Sequence, residues 1–274
     1  MPRVAAIQMA SGPNVNANLL EAGRLLKVAA DAGAKLVVLP ENFALVGMSE
    51  FDKVKIREAD GEGPLQEFLA EQAAKLGLWL VGGTIPLTGH DPDRVNAACL
   101  LFDDKGNRVA RYDKIHLFDV KITESDESYN ESESIEPGSK VVVVDTPFGK
   151  LGLAVCYDLR FPGLFRLMSE AGAEIFALPS SFTAITGKAH WQTLVRARAI
   201  ENLSYVIAAA QGGYHANGRE TFGHSMIVDP WGIVLDELPR GSGVVVAEVK
   251  RDRLSDLRRS FPVLEHRKLG CTLK

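Results

Sequence analysis

The stretch KVVVVDTPFGKLGLAVCYDLRF, residues 140–161, decides how the chain folds. A valine run, a Pro-Phe-Gly turn and a second apolar run from Leu151 to Val155 form a hairpin. The second arm is apolar on both faces, as a strand in the middle of a covered sheet must be. It ends on Cys156, and a short polar patch then leads to Pro162, a residue suited to the first turn of a helix. A strand that stops at a cysteine and turns sharply into a helix holds a side chain at a sheet edge, where loops gather and chemistry is done. Cys156 is therefore either a nucleophile or a small buried hydrophobe.

Outward from this stretch the same order of elements occurs twice. Residues 3–9 read as a strand, 16–32 as an amphipathic helix and KLVVLP (35–40) as a buried strand. PLQEFLAEQAAKLG (64–77) reads as a helix, LWLVGGTI (78–85) as a buried strand, and VNAACLLFDDKGNRVARYDK (95–114) as two strands about an Asp/Lys/Gly/Asn turn. An acidic, Ser-rich loop spans 123–139. After the hairpin come a helix from Pro162, a strand EIFALP (174–179), a helix KAHWQTLVRARAIENL (188–203) and a strand YVIAAAQ (205–211). A hairpin GHSMIVDPWGIVLDEL (223–238) and a last strand GVVVAEV (243–249) close the sheet, and RDRLSDLRRS (251–260) reads as a helix. The halves share this order but no visible sequence similarity, which predicts one domain over 1–274. So many buried strands exceed the usual width of one helix-covered sheet. The economical arrangement is an α/β four-layer α-β-β-α sandwich of two pseudo-repeated halves, with an open doubly wound sheet as the alternative.

Composition excludes several classes of function. The 274 residues are 46% hydrophobic and 24% charged with a net charge of -4, which predicts a soluble protein with no nucleic-acid partner. No run approaches the roughly eighteen apolar residues of a membrane helix, and the start MPRVAAIQMA is too weakly apolar for a secretory signal, so no membrane partner and a cytoplasmic location are expected. Cys99, Cys156 and Cys271 are far apart and form no CxxC pair. With no ligand cluster and no glycine-rich phosphate loop, neither a metal nor an organic cofactor is expected.

Three strand ends carry a reactive side chain: Glu41 after VVLP, Lys114 after VARYD and Cys156 after LGLAV. Strand ends on one sheet edge converge in space, so a carboxylate, an ammonium and a thiol can share a pocket. The carboxylate can take the thiol proton, the ammonium can stabilise thiolate and oxyanion, and the thiolate can attack a carbonyl or nitrile carbon. A position just before a helix start also predicts a lowered Cys156 pKa.

LPENF around Glu41, YDKIHLFD around Lys114 and CYDLRFP at Cys156 together resemble, in order and over most of the chain, the three motifs of the nitrilase superfamily of carbon–nitrogen hydrolases. The resemblance implies the four-layer sandwich and a catalytic Glu41-Lys114-Cys156 triad, with the Tyr157 N–H joining Lys114 at the oxyanion. It also implies a second glutamate near the site. Its YNESESIEPG setting points to Glu131, with Glu127, Glu133 and Glu136 as alternatives. The segments SSFTAITGKAHWQTLVRARAIEN, AAAQGGYH and GHSMIVDPWG look most like the superfamily's amidases acting on deaminated glutathione, and next like the ω-amidases. Both act on amides of 2-oxoglutarate. A small amide with carboxylates at both ends calls for cationic pocket residues, for which Arg160 and Arg219 are candidates, with Phe182 and Tyr214 as further lining. Two departures bear on substrate choice: Gly163 stands where relatives commonly have Glu, and the connection from Lys114 to Glu131 is unusually acidic and Ser-rich.

The other reactive residues have plainer readings. Cys99 is core, Cys271 incidental, His116 a hydrogen-bonded structural histidine and Trp191 packing beside His190 at a helix start. The acids of 124–136 other than Glu131 read as solvated. A Cys-His hydrolase using His116, His190 or His224, and a catalytically idle binding module of the same fold, are the rival readings. Finally, Phe261, Val263 and Leu264 in the tail 261–274 have no place in this core, which predicts packing on a partner subunit in a homodimer or higher homo-oligomer, as the resemblance also implies.

Overall fold

The computed structural model describes residues 1–123 and 127–271. Its first half runs β1 (Arg3–Gln8), α1 (Val15–Asp31), β2 (Ala34–Val38), α2 (Asp52–Lys55), α3 (Pro64–Leu76), β3 (Trp79–Val81), β4 (Ile85–Thr88), β5 (Val95–Phe102) and β6 (Arg108–Asp113). A connecting region holds β7 (Asp119–Ile122), β8 (Glu127–Asn130) and β9 (Ile135–Glu136). The second half begins with β10 (Val143–Thr146), β11 (Gly149–Leu153), α4 (Pro162–Glu170), β12 (Ile175–Ser180), α5 (Ala184–Asn202) and β13 (Tyr205–Ala210). It ends with β14 (Gly212–Tyr214), β15 (Glu220–Phe222), β16 (Ser225–Val228), β17 (Val234–Leu238), β18 (Gly243–Glu248) and α6 (Arg251–Ser260).

Alternation within single strands builds the layers. In β1, Val4 and Ala6 belong to the core shared with the second half, whereas Ala5 and Ile7 lie in the core under α1 and α3. Leu36 and Val38 of β2 share the first core, and Val37 the second. The second half answers with Phe165 and Met168 of α4 and Trp191 and Val195 of α5 beneath its own sheet. This is the four-layer sandwich. Each fully buried Val, Leu or Ile contributes roughly 1.5–3 kcal/mol. A charged residue at Val38, buried on all sides, would therefore break the junction of the sheets.

The repeat shows in strand direction. One sheet orders β18-β1-β2-β3-β5-β4, and the other β10-β11-β12-β13-β16-β17. In each, three parallel strands are flanked by antiparallel neighbours. One expectation needs correcting: β18 does not close the second sheet but crosses to the first and pairs with β1 from Arg3↔Glu248 to Gln8↔Gly243. Another correction is that LWLVGGTI is interrupted. At Gly83, with φ 59°, a Cβ would lie 2.2 Å from the Pro40 carbonyl oxygen, so the chain breaks strand to approach the turn before Glu41. The acidic connection also carries more structure than a loop, because β7 and β8 pair from Asp119↔Asn130 to Ile122↔Glu127. Helix α5 starts four residues earlier than expected, capped by the Thr183 hydroxyl, which accepts from the Thr186 N–H.

Beyond α6, Phe261 rests edge-on against Trp231 at 5.6 Å, and Arg267 pairs with Glu170. The solvated acids expected at Glu124 and Asp126 and the last tail residues, 272–274, lie outside the described residues. Among the described residues no helix is long and apolar enough to cross a membrane.

Candidate active site

Each of the three strand ends is clamped by the other half or by the connection. After β2, the Glu41 carbonyl accepts from Gln211 Nε2 at 3.0 Å, and the next N–H, of Asn42, donates to Thr84 Oγ1 at 2.9 Å. Lys114, just past β6, donates its N–H to the Ala97 carbonyl and accepts from the Gly138 N–H. Past β11, Cys156 takes a left-handed φ of 47° and opens a 3₁₀ turn, Cys156–Arg160. Such a φ costs on the order of 1–3 kcal/mol in a non-glycine residue and persists only where its surroundings hold it. Asp158 is the holder. Fully buried, its carboxylate accepts from the Val155 N–H, the Tyr112 hydroxyl and the His116 N–H, with His116 Nδ1 2.7 Å away.

The side chains then meet at the base of an open cavity of about 590 Å³. Lys114 Nζ lies 2.8 Å from Glu41 and 2.7 and 2.8 Å from the two oxygens of Glu131. Glu131 also accepts from the Phe118 N–H at 2.7 Å. Cys156, at 8% exposure, faces the same space, and its sulfur receives the Ser181 N–H at 3.5 Å.

Burial and mutual charge set the protonation states. Burial works against the Lys114 charge, but Glu131 and Glu41 together outweigh it and hold the ammonium protonated far above its usual range. Burial raises the Glu41 pKa, Lys114 lowers it and Glu131 raises it, with a net rise. Burial also pushes the Cys156 thiol well up, reinforced by Glu41 and only partly offset by Lys114. The lowered pKa expected at a helix start is thus overturned, because desolvation of the thiolate outweighs what a short 3₁₀ turn can offer. The consequence is chemical: the thiol rests protonated beside a carboxylate of raised basicity, and passing its proton to Glu41 leaves the net charge of the cluster unchanged.

Among the predicted residues, Tyr157, Arg160, Phe182 and Arg219 line the cavity with Glu41, Lys114, Glu131 and Cys156. Tyr214 does not. On β14, paired with Glu220, its side chain points to solvent at 75% exposure. Of the alternative glutamates, Glu127 accepts from the Tyr129 hydroxyl, Glu133 from Asn130, and Glu136 from the His90 and Asp91 N–H groups; none bonds Lys114. Buried Glu136 is therefore not the solvated acid expected, and serves as a structural acceptor. His116 stacks on Phe161, His190 meets Arg160 and His224 meets Glu237, all outside the lining. Cys99 is buried in β5 with its thiol pKa raised by burial, and Trp191 is buried with its N–H on the His224 carbonyl. A Cβ at Gly163 would meet nothing within 4 Å, and Gly163 is not among the residues lining the cavity. The sequence reading missed Glu50 and Lys53, which line the cavity from α2 and the residues before it. In sequence they look like a solvated i,i+3 pair. Among the described residues, no group of three or more His, Cys, Asp and Glu side chains forms a metal site.

Comparison with known proteins bears on the family. The Carbon-nitrogen hydrolase family matches residues 3–259. A deaminated glutathione amidase of Yersinia enterocolitica is 41% identical over 271 residues, 98% of this chain and 94% of that protein. Another, from Synechocystis, is 43% identical over 267 residues, 96% of this chain and 97% of the relative. Among solved structures, the C. elegans NitFhit protein is similar with a TM-score of 0.89 at 37% identity; the match covers 97% of this chain and 65% of that longer one.

Proposed function

This chain belongs to the carbon–nitrogen hydrolase family, and from that premise we propose that it is a cysteine amidase cleaving deaminated glutathione into 2-oxoglutarate and cysteinylglycine. The observation that carries the reading is the Lys114 ammonium fixed between Glu41 and Glu131 beside the Cys156 thiol. Glu41 takes the thiol proton as sulfur attacks the amide carbonyl. The tetrahedral oxyanion is met by Lys114 and by the N–H of Tyr157. Glu41 then returns the proton to the departing amine, leaving a thioester on Cys156. Water enters, gives its proton to Glu41 with Glu131 helping to place it, and attacks the thioester; collapse releases the acid and restores the thiol.

A steady-state comparison of deaminated glutathione with 2-oxoglutaramate, followed by 2-oxoglutarate release, tests the reading. A higher kcat/KM for deaminated glutathione is expected. Preference for 2-oxoglutaramate would make the protein an ω-amidase, and no turnover of either would remove the reading. We infer also that a second copy seats on the tail from Phe261, which lies 46% exposed beside Val263 and Ile200. Light scattering should find a dimer that dissociates when the chain ends at Ser260; an unchanged dimer would place the contact elsewhere.

A further inference from the structure

Aromatic rings form a wall along one side of the cavity, with Phe118 5.0 Å from Tyr157 and 5.1 Å from Tyr129. A guanidinium stands at each end: Arg160 lies 5.9 Å from the Tyr157 centroid, and Arg219 4.7 Å from that of Tyr129. The middle ring belongs to the residue whose N–H holds Glu131, so the wall passes the reacting cluster between its two cations.

The ends are built differently. Arg160 pairs with no carboxylate among the described residues and sits on the turn that carries Cys156. Arg219 instead shares Glu50 with Lys53, at 2.6 and 2.9 Å. Although burial opposes the Glu50 charge, Lys53 and Arg219 hold its pKa at about 2. Beyond these three residues a small second hollow opens, which shares Asn42, Glu50, Lys53 and Arg219 with the first cavity and is lined further by Gly47, Ser49 and Asn217.

We propose that the Lys53–Arg219 end and the hollow behind it form a leaving-group subsite, which takes the terminal carboxylate of the amine half of the substrate in exchange for Glu50. The inference rests on the reading of the protein as an amidase for deaminated glutathione. That molecule is a dianion whose carboxylates lie on opposite sides of the scissile amide, one on the short acyl half and one at the end of the longer cysteinylglycine half. The short half fits the Arg160 end near the nucleophile, and the long half needs the extra room. Exchange is inexpensive electrostatically, because one carboxylate replaces another on the same two cations while Glu50, 28% exposed, turns to water. An amide whose leaving group carries no carboxylate has nothing to offer Lys53 and Arg219, so the pair stays closed on Glu50. Selection between long and short amides then follows from the exchange.

The test uses three substrates: deaminated glutathione, its glycinamide form with the terminal carboxylate neutralised, and 2-oxoglutaramate. Arg219→Met and Lys53→Met are assayed beside wild type, each leaving Glu50 one cationic partner so that no charge of the trio is left alone. In each variant the ratio of kcat/KM for deaminated glutathione to that for 2-oxoglutaramate should fall about 10–100-fold, as expected for loss of a charged hydrogen bond. Wild type should lose a similar factor on the glycinamide, and the variants little more. Ratios unchanged within about twofold, or losses on acid and glycinamide that simply multiply, would overturn the subsite and leave the amidase reading standing. A wild type that hydrolyses none of the three would remove both.

Discussion

The third residue past β1 is Ser11 and the third past β11 is Cys156, matching places in the two halves put to different use. Ser11 is buried with its hydroxyl satisfied: it donates to the Phe43 carbonyl and accepts from Gln211 Nε2, whose other hydrogen reaches the Glu41 carbonyl. Cys156 is buried too, but it faces a cavity and the Glu41 carboxylate. The repeat provides a place; the neighbours decide whether it is structural or chemical. The same division separates the halves at large. Glu41, Lys114 and Glu131 come from the first sheet and the connection, whereas the thiol and Arg160 come from the second, so neither half holds a complete set.

The largest test of this contrast is Cys156→Ala, which should reduce turnover to background with the fold retained by circular dichroism. Wild-type activity in that variant would end the amidase mechanism. Next comes Glu41→Gln, expected to cost about 10²–10⁴ in kcat by removing the base. In wild type the acid limb of kcat/KM should lie above the usual glutamate value of 4.5, because burial raises the Glu41 pKa, and the Gln variant should lose that limb. An unchanged limb in Glu41→Gln would hand the base role elsewhere.

Lys114→Ala should cost about 10²–10³ in turnover and destabilise by about 3–5 kcal/mol, because it strands buried carboxylates. Its pH response has a definite sign. Glu41 loses the chief partner lowering its pKa, and a group whose folded-state pKa exceeds the unfolded one favours folding at low pH and loses that advantage as pH rises through the folded value. The variant should therefore melt higher near pH 5 than near pH 8, and the opposite order would refute the charge balance assigned to the cluster. The smallest effect belongs to Ser11→Ala, with about 1–3 kcal/mol of stability lost through the stranded Gln211 amide and kcat lowered less than about tenfold. A loss as great as that of Cys156→Ala would erase the distinction between the two places.

Strand ends announce themselves in the sequence because the signal is local: an apolar run buried on both faces stops at Pro40-Glu41 in one half and at Cys156 in the other, where Pro162 follows six residues on. What escaped was long-range. Lys53 and Glu50 are drawn into the site only when β14 and β15 carry Arg219 across to them. The sequence around Tyr214 does not reveal that the pleat turns this side chain outward. The Cys156 pKa depends on desolvation, which a helix-start pattern does not reveal. Alternation in GVVVAEV identifies a strand without naming the sheet it joins.

That last strand has a consequence for synthesis. Along a nascent chain β1 emerges well before its outer neighbour, β18, which is made after Glu41, Lys114 and Cys156. On the ribosome the second sheet finds β10 beside β11 at once, while the first waits for its latch. A product cut short before Gly243 would carry Glu41, Lys114 and Cys156 and still expose β1 as an open edge, a template for pairing with other chains. Synthesis of β18 and protection of the β1 edge are in this way the same event.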